Sequence, residues 1–218
     1  MISAISVISV VINLWSMAML NSAAPTRIVA MGDSTTAGTP GFKSPVEAPP
    51  GGRGDETSQY AYWLMKAHPD WEVLNRGVNG ERSDQIRARF ERDVVAAAPK
   101  AVVIIAGVND VYQGRSVEHV AEQLRAMYAR AAQAGIRVVA GSIIPYNTAT
   151  PDQNARMRQI NAWIRDQPGI LFADTRAAAA APDNADRLFE SPDGLHPTAA
   201  GYRRMAESIR PALEGVLR

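Results

Sequence analysis

Short apolar runs alternate with amphipathic stretches from Arg27 to the C-terminus. The runs Arg27 to Met31, Trp71 to Asn75, Ala101 to Ala106, Arg137 to Ser142 and Ile170 to Ala173 are rich in Val and Ile and are mostly apolar throughout. Continuous rather than alternating apolar character predicts parallel strands covered on both faces. The intervening stretches carry helical spacing. Ile86, Phe90 and Val94 repeat at i+4, and Val117, Val120, Leu124, Met127 and Ala131 step by three or four. Ser116 before that second stripe is a candidate N-cap, and Gly135 after it a candidate left-handed C-cap. Tyr202, Met205, Ile209 and Leu213 form a last stripe, with Thr198 as its cap.

Strands that alternate with helices imply crossover connections and a parallel sheet. The expected fold is α/β: a three-layer α/β/α sandwich on a five-stranded parallel sheet of flavodoxin-like order 2-1-3-4-5. One stretch breaks the regularity. Thr36 to Glu56 holds Pro40, Pro45, Pro49, Pro50 and five glycines. A structureless loop of that length is usually functional or disordered, and its position directly after Ser34 predicts that it overhangs that residue.

The first twenty residues, Met1 to Leu20, are almost wholly apolar and uncharged, and small residues follow at Ser22-Ala23-Ala24. Residues 1–24 are therefore expected to be a signal peptide or N-terminal hydrophobic segment, and 25–218 a single domain. An uncleaved membrane anchor and a later start at Met17, Met19 or Met31 are the alternatives. Export to the periplasm or medium is the expectation if the segment is cleaved, with no stable membrane association thereafter. The chain has 218 residues, 46% of them hydrophobic, and a formal net charge of +1. That balance gives no electrostatic footprint for nucleic acid. The absence of cysteine removes disulfides, thiolate metal ligands and a cysteine nucleophile together. Oligomeric state is not legible.

Ligands of open α/β sheets sit beyond the carboxyl ends of the strands. Four marked stretches fall there: Gly32-Asp33-Ser34, Asn75 to Gly80, Gly107 to Asp110, and Asp193-Gly194-Leu195-His196 before Pro197. A serine hydroxyl must lose its proton as it attacks, and a neutral imidazole in reach can take it. A carboxylate on the other ring nitrogen fixes the tautomer. Ser34, His196 and Asp193 form such a set. Backbone N–H groups of Ser34 and Gly80 and the Asn109 side-chain amide can serve as oxyanion donors. Asp33 and Asp110 read as loop-shaping residues. Arg76 and Arg82 read as loop anchors, Arg82 also within reach of a polar substrate. His119 reads as a solvated helical residue, and His68 as a helix-end histidine.

The four stretches resemble, in order, the four blocks of the SGNH (GDSL-type) hydrolase family, departing at Thr35-Thr36, where leucine is common. The resemblance implies a nucleophilic serine at 34, a base at His196, an orienting acid at Asp193, and Gly80 and Asn109 in the oxyanion hole. It implies hydrolysis of carboxylic esters or thioesters without metal or cofactor, on a small-molecule or polysaccharide-linked ester. A short acyl group is expected, and Tyr146 is a candidate to line the pocket. A flavodoxin-like module that holds a flavin phosphate at Gly32 to Gly38 is the alternative reading. A metal hydrolase with Asp193 and His196 as ligands ranks below it.

Overall fold

The computed structural model describes residues 24–218. All but the last residue of the expected 1–24 segment lies outside the described residues. Among the described residues, no helix is long and apolar enough to cross a membrane.

Five parallel strands form the central sheet: β1 (Thr26–Gly32), β2 (Trp71–Gly77), β3 (Ala101–Ile105), β4 (Arg137–Gly141) and β5 (Leu171–Ala173), arranged β2-β1-β3-β4-β5. Two small antiparallel ribbons, Phe42–Lys43 with Arg53–Gly54 and Ala180–Ala181 with Asn184–Leu188, stand apart from it, and their strands interrupt the count along the chain. The sequence pattern did not show either ribbon, because two-residue pairings carry no periodicity.

Alternate residues of the strands enter two separate cores. Val29, Met31, Val102, Ile104, Val138 and Ala140 face one side. Ile28, Ala30, Ala101, Val103, Ile105 and Val139 face the other. This is why the runs of the inner strands read as mostly apolar throughout. Burial of each such side chain stabilises by about 1.5–3 kcal/mol for residues of Val or Ile size.

The helices are α1 (Ser34–Ala37), α2 (Tyr60–Ala67), α3 (Ser83–Ala88), α4 (Phe90–Asp93), α5 (Val108–Tyr112), α6 (Val117–Gln133), α7 (Pro151–Arg165), α8 (Thr175–Ala179) and α9 (Ala199–Leu217). The first face of the sheet is covered by α3, α4, α6 and α7, the second by α2 and α9. The Ser116 cap bonds the His119 N–H, and Gly135 is left-handed at φ +70. The Tyr202, Met205, Ile209 and Leu213 stripe is wholly buried. Helix α7 is an additional element, capped reciprocally by Thr150 and Gln153 at 3.2 and 2.9 Å.

The Ile86, Phe90 and Val94 stripe is buried, but Ile86 and Phe90 lie on two short helices and Val94 is the C-cap of the second. The break falls at Arg89, whose side chain turns inward. It donates to the carbonyls of Gly32 and Arg76 at 2.9 and 2.8 Å, and pairs with Glu81 and Asp93 at 2.6 and 2.8 Å. One guanidinium thereby ties the ends of β1 and β2 together.

The Pro/Gly-rich segment is an ordered buttress. Its ribbon pairs Phe42 with Gly54, Ser44 Oγ donates to the Gly77 carbonyl at 2.6 Å, and Thr36 Oγ1 lies 3.0 Å from the Tyr60 hydroxyl. Helix α1 packs so closely on β2 that a Cβ on Gly77 would lie 2.0 Å from the Ala37 nitrogen.

Candidate active site

The register of the sheet sets Gly32 beside Gly77 on one side and Ile105 on the other. Ser34 therefore emerges from the middle of the carboxyl rim. Asp33 caps the helix that begins there: its Oδ1 accepts from the Thr35 N–H at 2.9 Å, and Gly38 closes the helix at φ +105. Ser34 is 7% exposed.

The opposite wall comes from the loop before α9. A carboxylate three residues before a histidine can hold both the backbone and the ring. Asp193 Oδ1 accepts from the Leu195 and His196 N–H groups, each at 2.9 Å, and Oδ2 lies 2.7 Å from His196 Nδ1. His196 Nε2 lies 2.9 Å from Ser34 Oγ. Ser191 Oγ donates to the His196 carbonyl at 2.7 Å, and the Asn147 N–H donates to the Gly194 carbonyl at 2.7 Å. The Asp193 and His196 side chains are 35% and 14% exposed, so the carboxylate borders solvent rather than lying deep in the core. Partial burial works against its charge. The bonds from the His196 ring and from the Leu195 and His196 N–H groups outweigh it and hold the carboxyl below the usual carboxylate range.

Ser34, Gly80, Asn109 and His196 line one open cleft of about 260 Å³, with Thr35, Asn79, Val108, Tyr112, Tyr146 and Leu195 completing it. Gly80 has φ +74, a conformation that favours glycine. One amide proton of Asn109 is spent on the Glu81 carbonyl at 2.9 Å, and the other has no partner among the described residues. Tyr146, flagged in the sequence, is almost fully buried and meets the exposed Tyr112 ring edge-on at 6.2 Å. Its hydroxyl has no partner among the described residues, and burial raises its pKa.

None of residues 37–56 lines the cleft, so the Pro/Gly-rich segment supports the rim from outside rather than overhanging Ser34. Asp33 and Asp110 shape loops, Asp110 accepting from Ser83 N and Oγ at 2.8 Å each. Arg82 is engaged by Asp84 at 3.0 Å and by Gln113 at 3.2 Å, so it does not stand free to meet a substrate. His119 is partly exposed, but its Nε2 turns inward and is buried, 3.8 Å from Asp110 Oδ1. His68 caps α2, stacks on Trp71 at 3.9 Å and lies 2.9 Å from Glu214.

Asp193 and His196 face each other and Ser34, an arrangement that uses the atoms the metal alternative would have needed. Asp84, Asp110 and His119 bring ligand atoms within 4.8 Å of one another. The Asp110 oxygens are taken by Ser83, and Asp84 is held by Arg82. Sequence reasoning missed Glu47 and Arg89, which hold the rim through long side chains from neighbouring loops and leave no local pattern.

The family model of the GDSL-like lipase/acylhydrolase family matches residues 30–204. The chain belongs to that family and is a carboxylic ester hydrolase. An acetylxylan esterase from Geobacillus stearothermophilus is 26% identical, over 69% of this chain and 77% of the relative. A G-D-S-L family protein from Desulfitobacterium hafniense DCB-2 superposes with a TM-score of 0.71 at 25% identity, covering 86% of this chain and 99% of that one. A catalytic mutant of an acetylxylan esterase from G. stearothermophilus gives a TM-score of 0.68 at 22% identity, covering 88% and 95%.

Proposed function

We propose that this hydrolase cleaves short-chain acyl esters, acetyl esters of saccharides foremost, through a Ser34–His196–Asp193 triad. The carrying observation is the position of His196, 2.9 Å from Ser34 Oγ on one ring nitrogen and 2.7 Å from Asp193 on the other. Ser34 Oγ attacks the ester carbonyl carbon while its proton passes to His196 Nε2. The carbonyl oxygen becomes an oxyanion that meets the Ser34 and Gly80 N–H groups and the other Asn109 amide proton. Collapse expels the alcohol, which takes the proton from His196. Water then attacks the acyl-serine with His196 again as base, and the acid leaves.

The substrate reading rests on cleft size and kinship. A cleft of about 260 Å³ is smaller than most pockets for drug-sized ligands, and one similar protein is an acetylxylan esterase. Residues 1–24, read as an export signal that leaves 25–218 as the mature hydrolase, suit a polysaccharide-borne substrate. N-terminal sequencing of the exported protein tests that part.

Ser34→Ala is expected to abolish turnover of p-nitrophenyl acetate with the fold intact. Asp193→Asn should lose less, by roughly tenfold to a hundredfold, because orientation of the base is only part of the barrier. The wild type should prefer acetyl to octanoyl esters. Near-normal activity in Ser34→Ala would remove the nucleophile assignment, and an octanoyl preference would remove the short-acyl reading.

A further inference from the structure

We infer that Glu47 is a positioning residue for the oxyanion hole, reaching the site through Asn79. The inference rests on the proposed roles of Ser34 and Gly80. Gly80 is an open part of the cleft. It is exposed, its φ is +74, and no atom lies within 4 Å of where a Cβ would stand. The turn bond that spans it, from the Glu81 N–H to the Val78 carbonyl, is long at 3.5 Å, so the direction of its N–H depends on its neighbours. The peptide plane that carries this N–H joins Asn79 to Gly80, so its direction turns on ψ of Asn79 and φ of Gly80, and fixing Asn79 fixes the plane from one side.

Asn79 is held on both sides by the Pro/Gly-rich segment. Its backbone N–H donates to Glu47 Oε1 at 3.0 Å, and its Nδ2 donates to Oε1 and Oε2 at 2.8 and 2.7 Å. The Thr39 hydroxyl donates to the remaining amide oxygen. These bonds fix the backbone and the side chain of Asn79 at once, and those to the carboxylate are of the stronger, charge-assisted kind. The clamp is itself anchored. Ser44 ties the turn that carries Glu47 to the Gly77 carbonyl at 2.6 Å, and the Tyr202 hydroxyl of α9 donates to the Thr39 carbonyl at 2.8 Å. On the flanks of Gly80, the Val78 N–H reaches the Gly32 carbonyl at 3.1 Å, and Asn109 Nδ2 holds the Glu81 carbonyl. Glu47 is thus the contact that fixes the residue directly before Gly80, and it assigns the Pro/Gly-rich segment a part in catalysis without touching the substrate.

The test compares Glu47→Ala and Glu47→Gln in the full chain, with p-nitrophenyl acetate and with hydrogen exchange of the peptide that spans residues 78–82. Glu47→Ala should lower kcat roughly tenfold to a hundredfold, with KM within about twofold, since misalignment weakens only the transition state. Glu47→Gln keeps an acceptor oxygen for Asn79 and should recover most of that loss. Exchange in the 78–82 peptide should quicken in the alanine variant. Should Glu47→Ala fail to fold, Asn79→Ala removes the side-chain half of the clamp and should give the same kcat loss and faster exchange. An unchanged kcat, a loss confined to KM, or unchanged exchange would overturn the inference. The exchange readout does not depend on which residue is the nucleophile. Activity surviving in Ser34→Ala would count against the triad alone, and normal exchange in Glu47→Ala against the clamp alone.

Discussion

Asp33 precedes Ser34 and is fully buried, with Oδ1 bound to the Thr35 N–H and Oδ2 without a partner among the described residues. Burial pushes its carboxyl up to about 7 against the pull of the Thr35 bonds, and the charges of Asp110 and Glu81 add to the rise. The folded state therefore binds this proton more tightly than the unfolded chain does. The associated stability is complete below the ordinary carboxylate pKa and is lost as pH rises toward about 7. Asn caps helices as well as Asp does and carries no charge. Asp33→Asn should accordingly flatten the fall in thermal midpoint between pH 4 and pH 7.5. Parallel slopes for the two proteins would show that Asp33 is not the group responsible. The residues proposed to act directly on the ester were legible in the sequence. Serine, histidine, aspartate, glycine and asparagine at strand ends are few, and the chemistry demands those types. Glu47 and Arg89 were not legible, because a long side chain that reaches across loops leaves no spacing to read.

At the scale of elements, Arg89 explains both a break and a junction. A continuous helix through Ile86, Phe90 and Val94 would satisfy the apolar stripe. The chain instead gives up helical bonds at Arg89, where φ is −103 and ψ is 5, and the guanidinium serves the ends of β1 and β2. Arg89→Met keeps the apolar bulk but leaves Glu81 and the mostly buried Asp93 without this partner. Removal of one member of such a buried pair costs about 3–5 kcal/mol, and the thermal midpoint should fall accordingly. A shift within experimental error would show that Arg92, which also binds Asp93 at 2.6 Å, carries the pair by itself. The inner strands were the most legible elements, since burial on both faces makes β3, and most of β1 and β4, a continuous apolar run. Helix α7 was as legible as α6: Met157, Ile160 and Ile164 step by three and four, and Thr150 and Gln153 cap it reciprocally.

Across the whole molecule, the site exists because four distant stretches meet at one rim. Ser34 comes from the end of β1, Gly80 follows β2, Asn109 follows β3, and Asp193 and His196 lie on the loop into α9. The parallel topology makes this convergence foreseeable from the order of strands. The buttress built by residues 36–56 was not foreseeable, because proline and glycine mark irregular chain without showing where it packs. The central claim is that Ser34 is the one nucleophile activated by this convergence. Its most direct test is covalent labelling with diethyl p-nitrophenyl phosphate, read by intact mass and peptide mapping. One adduct per chain on Ser34, absent in Ser34→Ala and strongly slowed in His196→Ala, is the expected result. A stoichiometric adduct on another residue, or labelling that persists in Ser34→Ala, would contradict it.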